Sequence, residues 1–149
     1  MIDSRLQTLT SELWGLAKQI LVDDQGHHPI VFCFGADYKI VAFVAITGDG
    51  SVPLRDAVRS VIEQVRPFGF CFVSEAWDRG PAPGDKRECI VLQSATREVF
   101  EMKRIAFDRV EGGAVVLRSE TELSVNSEMA GVGLVGAFPE MVELLPLLN

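Results

Sequence analysis

The chain has 149 residues, of which 48% are hydrophobic and 23% are charged, and its formal net charge is −7. These values predict one globular domain over residues 1–149 and exclude an extended disordered chain. The acidic balance disfavours nucleic acid and anionic membrane surfaces as partners, because both attract clusters of Lys and Arg. We therefore expect neither partner. The basic residues that could still form a cluster are Arg97, Lys103, Arg104 and Arg109.

The three cysteines, Cys33, Cys71 and Cys89, lie within apolar, strand-like segments and have no zinc-like spacing. An odd number fits no closed set of disulfides, so we predict buried free thiols and a cytoplasmic location. The N-terminal residues lack the basic and apolar regions of a signal peptide. The apolar runs are far shorter than the about 20 residues of a membrane-spanning helix.

The first predicted element is an amphipathic helix over about residues 4–22. Apolar residues recur there at three- and four-residue steps, and Ser4 and Gln7 have the spacing of a capping box. Two short apolar runs follow, at residues 30–34 and 39–46, and the turn-forming residues between them indicate a β-hairpin. Because both runs are nearly continuous in apolar residues, we expect both of their faces to be covered.

A second helix is predicted from residue 54 to about residue 66, since Pro53 suits a first turn and Pro67 stops the helix. Four further strands are predicted at residues 70–76, 88–95, 99–110 and 114–118, and the last could continue to residue 125. The sequence Glu111-Gly112-Gly113 favours a hairpin turn between the last two strands. Pro139 and the apolar residues after it favour a short C-terminal helix.

This order, α-β-β-α-β-β-β-β plus the short C-terminal helix, predicts an α+β fold. Short connections between consecutive strands favour a mostly antiparallel sheet, here of about six strands. We expect the two amphipathic helices to cover one face of that sheet.

The most informative stretch for function runs from Phe70 to Asp78. It begins as a buried strand and ends in polar and aromatic residues. Alternation places Glu75 and Trp77 on the same face as Cys71 and Val73. Glu75 is therefore a carboxylate that points toward a side expected to be packed.

A carboxylate in that position is costly unless it is paired. Arg87 or Arg79, on either side of the Pro/Gly loop at residues 80–84, can supply the partner. Two interpretations stay open: a structural ion pair, or a small-molecule pocket at the end of the strand. The side chains that would line the pocket are Glu75, Trp77, Asp78 and Arg87.

The segment Val73–Trp77, followed by a Pro/Gly loop, Arg87-Glu88 and an aliphatic strand, resembles an uncharacterised bacterial and phage-associated family. Members of that family have a strand ending in a similar Ser-Glu-Ala-Trp motif. The likeness covers about the middle third of the chain. No activity is assigned to the family, so the resemblance implies no catalytic residues.

Two further motifs lack the context that their chemistry requires. His27 and His28 are the two histidines of the chain, and no HxH, HExxH or CxxC spacing accompanies them. We therefore predict no metal site. Residues Gly131–Gly136 match the G-x-G-x-x-G pattern, but too little chain follows for a βαβ unit, so we predict no bound nucleotide or other cofactor.

Because no catalytic constellation meets these tests, we predict a non-enzymatic binding or assembly domain of a bacterial or phage-type protein. The apolar C-terminal residues, 129–138 and 141–148, either dock on the sheet of their own chain or contact a second copy in a homo-oligomer. The alternative function is a small-molecule-binding protein or enzyme with its pocket at the Ser74–Arg87 junction.

Overall fold

The computed structural model describes residues 3–47, 51–79, 86–126 and 145. The helices and strands, in chain order, are α1 Ser4–Asp24, β1 Ile30–Phe34, β2 Ile40–Ala45, α2 Leu54–Val65, β3 Gly69–Arg79, β4 Lys86–Ala95, β5 Val99–Arg109 and β6 Val115–Asn126. The predicted α+β class and the predicted order of these elements are confirmed. The loop at residues 80–84 and the C-terminal helix lie outside the described residues.

The six strands form one sheet in the order β2-β1-β3-β4-β5-β6. Each neighbouring pair runs antiparallel. Strands β3 to β6 form a meander, and α2 connects the β1–β2 hairpin to β3. Among the described strands, the two edges of the sheet are therefore β2 and β6.

The two helices lie on opposite faces of the sheet, so the prediction that both cover one face is wrong. α1 packs against Cys71 and Val73 of β3, whereas α2 packs against Phe70 and Phe72 of the same strand. Successive side chains of a strand point to opposite faces, which places the helices on different sides. We call these sides the α1 face and the α2 face.

α1 begins at Ser4, the predicted start, but Ser4 is not its N-cap. The N-cap is Asp3, whose side chain accepts a hydrogen bond from the backbone N of Arg5 at 2.8 Å. The C-cap is Gln25, in a left-handed conformation with φ 59. The residues that α1 buries have the predicted three- and four-residue spacing; they include Leu6, Leu9, Leu13, Trp14, Ala17 and Leu21.

Strand β2 contradicts the prediction that both faces of the hairpin are covered. β1 lies inside the sheet, and its residues Val31, Cys33 and Phe34 are fully buried. β2 lies at the edge, and five of its six residues are exposed. The side chains of Val41 and Phe43 are 61% and 69% exposed. An apolar run of the same kind therefore forms a buried strand in one case and an exposed edge in the other.

Two smaller predictions are confirmed. Cys33, Cys71 and Cys89 are free and buried. The turn between β5 and β6 contains two glycines with positive φ, 83° for Gly112 and 85° for Gly113. Residues that have a Cβ atom rarely adopt this backbone conformation.

Within the apolar C-terminal segment the structure describes Leu145. Its side chain is buried in the core of the α2 face, and its carbonyl oxygen accepts a hydrogen bond from Nη1 of Arg97 at 3.4 Å. At this position the chain docks on its own sheet. The rest of the segment, including the G-x-G-x-x-G motif, lies outside the described residues.

Gly69 occupies a place in β3 that has no room for a side chain. A Cβ atom there would collide with the ring of Phe34 and lie 2.6 Å from the carbonyl oxygen of Ala95. We expect Gly69→Ala to lower the free energy of unfolding by about 1–3 kcal/mol, because an overpacked core must shift. Urea unfolding measures the change.

The matched control is Gly15→Ala in the interior of α1, where a new Cβ meets no atom within 4 Å. We expect it to raise the free energy of unfolding by about 0.5–1 kcal/mol through helix propensity. Equal effects of the two substitutions would contradict the close approach at Gly69.

Candidate functional site

One end of the α1 face gathers residues from three strands. β3 contributes Glu75 and Trp77, β4 contributes Glu88, and β5 ends at Arg109. The register places Trp77 directly opposite Glu88. We call the set Glu75, Glu88 and Arg109 the Arg109 cluster.

The guanidinium of Arg109 binds two carboxylates and one backbone carbonyl. Nη2 donates to Glu75 Oε1 at 3.1 Å, and Nε donates to Glu88 Oε2 at 3.1 Å. Nη1 donates to the carbonyl oxygen of Gln25 at 2.6 Å. The same group lies 5.3 Å from the centre of the Phe107 ring. Arg109 therefore joins β3, β4 and the end of α1.

The Arg109 cluster also fixes the loop between α1 and β1. Gln25 is the C-cap of α1, and a cation near a helix C-terminus is favourable because the last carbonyl groups carry partial negative charge. Oε2 of Glu75 accepts a hydrogen bond from the backbone N of His27 at 3.2 Å. Both carboxylate oxygens of Glu75 are thus bound by groups of the protein itself.

The expected partner of Glu75 was Arg87 or Arg79, and the observed partner is Arg109. Arg87 lies on the α2 face, where its Nη2 is 4.0 Å from Oδ2 of Asp108. No local pattern in the sequence marks Arg109 as the partner of Glu75, since the two residues lie 34 positions apart.

The four predicted site residues share one end of the sheet but not one face. Glu75 and Trp77 lie on the α1 face, and Trp77 is 61% exposed. Asp78 and Arg87 are directly opposite one another in the register, at positions that belong to the α2 face. The sheet therefore separates the four residues into two pairs.

His27 is buried beside the Arg109 cluster, and His28 is exposed. Nδ1 of His27 donates to the carbonyl oxygen of His28 at 2.6 Å. Burial lowers the pKa of His27 below 6.5, although the backbone hydrogen bond and the charge of Glu75 oppose that shift. Within the described ranges, no group of three or more His, Cys, Asp or Glu residues is arranged to hold a metal ion.

The buried thiols are poorly suited to nucleophilic chemistry. Burial raises the pKa of Cys33 to about 11. Burial also raises the pKa of Cys71, and the nearby charges of Glu101 and Cys33 raise it further. The reactive form of cysteine is the thiolate, which such surroundings disfavour. These cysteines act as small core residues.

The four basic residues of the possible basic cluster do not share one face of the sheet. Lys103 and Arg109 lie on the α1 face and Arg104 on the α2 face, because the side chains of β5 alternate. Arg97 lies in the turn before β5 and binds the carbonyl of Leu145.

A shallow depression of about 270 Å³ lies between the start of α1 and the β1–β2 turn. Its charged lining residues are Arg5, Glu12 and Asp37. Arg5 pairs with Asp3 at 3.0 Å and lies 4.6 Å from the centre of the Tyr38 ring. Tyr38 in turn stacks on Phe34, with ring centres 5.6 Å apart. Arg5 and Tyr38 of this depression are therefore in contact with each other.

The most unusual surface of the described chain is the β2 edge, residues Ile40–Ala45. It contains no charged residue and no proline, and it exposes apolar side chains on both faces. The opposite edge, β6, carries Arg118 and Glu120. Proteins commonly place charges on edge strands to prevent pairing with other chains. β6 follows that rule and β2 does not.

Comparison with known proteins adds no family to this description. No family model, curated protein or solved structure matches the chain. In the part of the chain that the structure describes, no helix is both long and apolar enough to cross a membrane.

The Arg109 cluster predicts a stability effect. We expect Arg109→Gln to lower the free energy of unfolding by about 1–2 kcal/mol, because two carboxylates and a helix-end carbonyl lose their donor. The side chains are about one-third exposed, so the effect is smaller than for a buried ion pair. Urea unfolding of the variant and the parent measures it.

Arg118→Gln is the matched control for that measurement. Arg118 pairs with Asp108 at 2.7 Å, but both side chains are almost half exposed. We expect its effect to stay within about 0.5 kcal/mol. An effect of Arg109→Gln as small as that of the control would show that the cluster does not hold the loop after α1.

The buried His27 predicts a pH dependence of stability. Its pKa is lowered in the folded protein, so the unfolded chain binds a proton first as the pH falls. The contribution to stability is complete above the unfolded pKa of 6.5 and is lost as the pH falls through the lowered pKa of the folded protein. Unfolding between about pH 7.5 and about pH 5.5 measures this loss.

We expect His27→Gln to flatten this pH profile and His28→Gln, at the exposed neighbour, to leave it unchanged. If both variants keep the parental slope, the loss of stability comes from other groups and the assignment to His27 is wrong.

Proposed function

We propose that this chain is a non-enzymatic assembly domain that associates with a second copy of itself through the β2 edge. The observation that carries the proposal is an edge strand that is apolar at every position and free of charge. Phe43 is exposed on the α1 face, and Val44 is exposed on the α2 face. Such an edge offers both unpaired backbone groups and apolar side chains to another strand.

A second copy is the partner that fits this edge best. The net charge of −7 makes two copies repel one another, so the surface through which they associate should itself add no like charges. Ile40–Ala45 is such a surface. Pairing of β2 with β2 is also a closed, self-complementary contact of the kind that homodimers use most often.

The small-molecule alternative receives less support from the geometry. A ligand that used Glu75 would have to displace Arg109 from one oxygen and the backbone N of His27 from the other. The remaining predicted residues, Asp78 and Arg87, belong to the other face of the sheet. We therefore assign the Arg109 cluster a structural role within the assembly domain.

The apolar C-terminal segment is the other candidate surface for self-association, but Leu145 is buried in the core of its own chain. This burial favours β2 as the contact. Buried free thiols support a reducing, cytoplasmic setting for the protein. The resemblance of Val73–Trp77 to an uncharacterised bacterial and phage-associated family stays part of the proposal and assigns no activity to the chain.

The test is the concentration dependence of sedimentation velocity for the full chain. We expect the wild-type chain to self-associate, and Val41→Lys to weaken that association at least about tenfold by placing a charge on the edge. Higher ionic strength should tighten the wild-type association, because it screens the repulsion between acidic copies.

Val110→Lys is the matched control, since Val110 is also an exposed valine, 44% accessible, but follows β5 rather than lying in β2. We expect it to associate like the wild-type chain. A wild-type chain that stays monomeric at every concentration would overturn the proposal, as would equal weakening by both lysine variants.

A further inference from the structure

We infer that the two copies meet about a two-fold axis beside Phe43, which makes Phe43 the residue that sets the register of self-association. This inference rests on the proposed function and adds the geometry of the contact. The axis is perpendicular to the sheet, and the two β2 strands run antiparallel. The result is one continuous sheet with six strands from each copy.

The backbone of β2 supports this register. The N–H of Ile46 donates to the carbonyl oxygen of Pro29 at 2.8 Å, which makes these two residues a hydrogen-bonded pair of the β1–β2 ladder. Hydrogen-bonded and non-bonded pairs alternate along an antiparallel ladder. With the observed register, the N–H and C=O groups of Phe43 and Ala45 therefore point away from β1. Phe43 thus presents both groups to an incoming strand.

A perpendicular two-fold axis keeps the α1 faces of both copies on the same side. Residues directly opposite one another then share a face of the sheet. The residue beside the axis lies opposite the same residue of the second copy. With the axis at Phe43, its N–H and C=O groups bind those of Phe43 in the second copy. Ala42 of each copy lies opposite Val44 of the other, so a small side chain meets a larger one.

The side chains on the α1 face favour the same axis. Phe32 of β1 and Phe43 of β2 are directly opposite in the register, with ring centres 6.1 Å apart and planes tilted by 32°. Among the described residues, none from β2 belongs to the core that α1 covers. When two copies join at Phe43, the Phe32–Phe43 pair of one copy lies beside the same pair of the other. The four phenylalanine rings then form a row across the contact between the two β2 strands.

Other registers do not pair the outward backbone groups of Phe43 and bring the two Phe43 rings together at the same time. An axis beside Val44 places Phe43 opposite Ala45 and separates the two Phe43 rings along the strands. A pairing of β2 with β6 places the apolar edge opposite Arg118 and Glu120 and leaves the uncharged β2 edge of one copy free. The register centred on Phe43 joins the outward backbone groups and the exposed rings at once.

The test is a charge-swap experiment at Phe43, followed by sedimentation velocity on the full chain. Phe43→Lys and Phe43→Glu should each fail to self-associate, because like charges then lie directly opposite one another. Mixed in equal amounts, the two variants should associate at least about tenfold more tightly than either does alone. Phe43 is 69% exposed, so both variants should keep the fold, which circular dichroism checks.

The matched control is the same exchange at Val110, where Val110→Lys, Val110→Glu and their mixture should all associate like the wild-type chain. Failure of the Phe43 mixture to recover, while Val41→Lys still disrupts a wild-type dimer, would overturn the register and leave the assembly function standing. A wild-type chain that does not associate would overturn the assembly function itself. Protection of the Phe43 amide from hydrogen exchange at high protein concentration would support the register independently.

Discussion

A strand that is apolar on both of its faces has to be covered on both, and β3 imposes this constraint on the rest of the chain. Phe70–Val73 is completely buried. One helix cannot cover both sides, so α1 packs on one face and α2 on the other. The return of the chain through α2 then places β3 beside β1 and leaves β2 outside, where neither helix covers it fully. The exposed edge is thus a consequence of how the centre of the sheet is buried.

The Arg109 cluster looks like a functional site in the sequence, but its contacts stabilise the fold. Glu75 and Glu88 extend past the apolar part of β3 and β4, where α1 has already ended at Gln25. The planar guanidinium of Arg109 satisfies both carboxylates and the carbonyl at the helix end with donors arranged in a fixed fork. One side chain therefore closes the α1 face at this end and anchors the loop that leads into β1.

The local sequence pattern predicts the order and type of the helices and strands. It does not predict which strand lies at an edge or which distant side chains pair, because both depend on long-range strand pairing. Periodicity placed β1 at its observed bounds, Ile30–Phe34, because the apolar run and its turn are local. The same kind of run in β2 predicted a covered strand, since the sequence of a strand does not reveal whether it lies at an edge. The partner of Glu75 lies 34 residues away, on a strand that is not its neighbour. Which arginine pairs with Glu75 depends on the β3–β4 and β4–β5 registers, and no short motif encodes either register.

The contrast between the two edges also explains why assembly would stop at two copies. A sheet with two uncharged edges could add chains without end, since each new copy would present another free edge. Here the pairing of β2 with β2 uses the uncharged edge of both copies. The edges that remain are the two β6 strands, with Arg118 and Glu120 in each. Charged residues at both ends of the joined sheet, on chains that each carry a net charge of −7, oppose further growth.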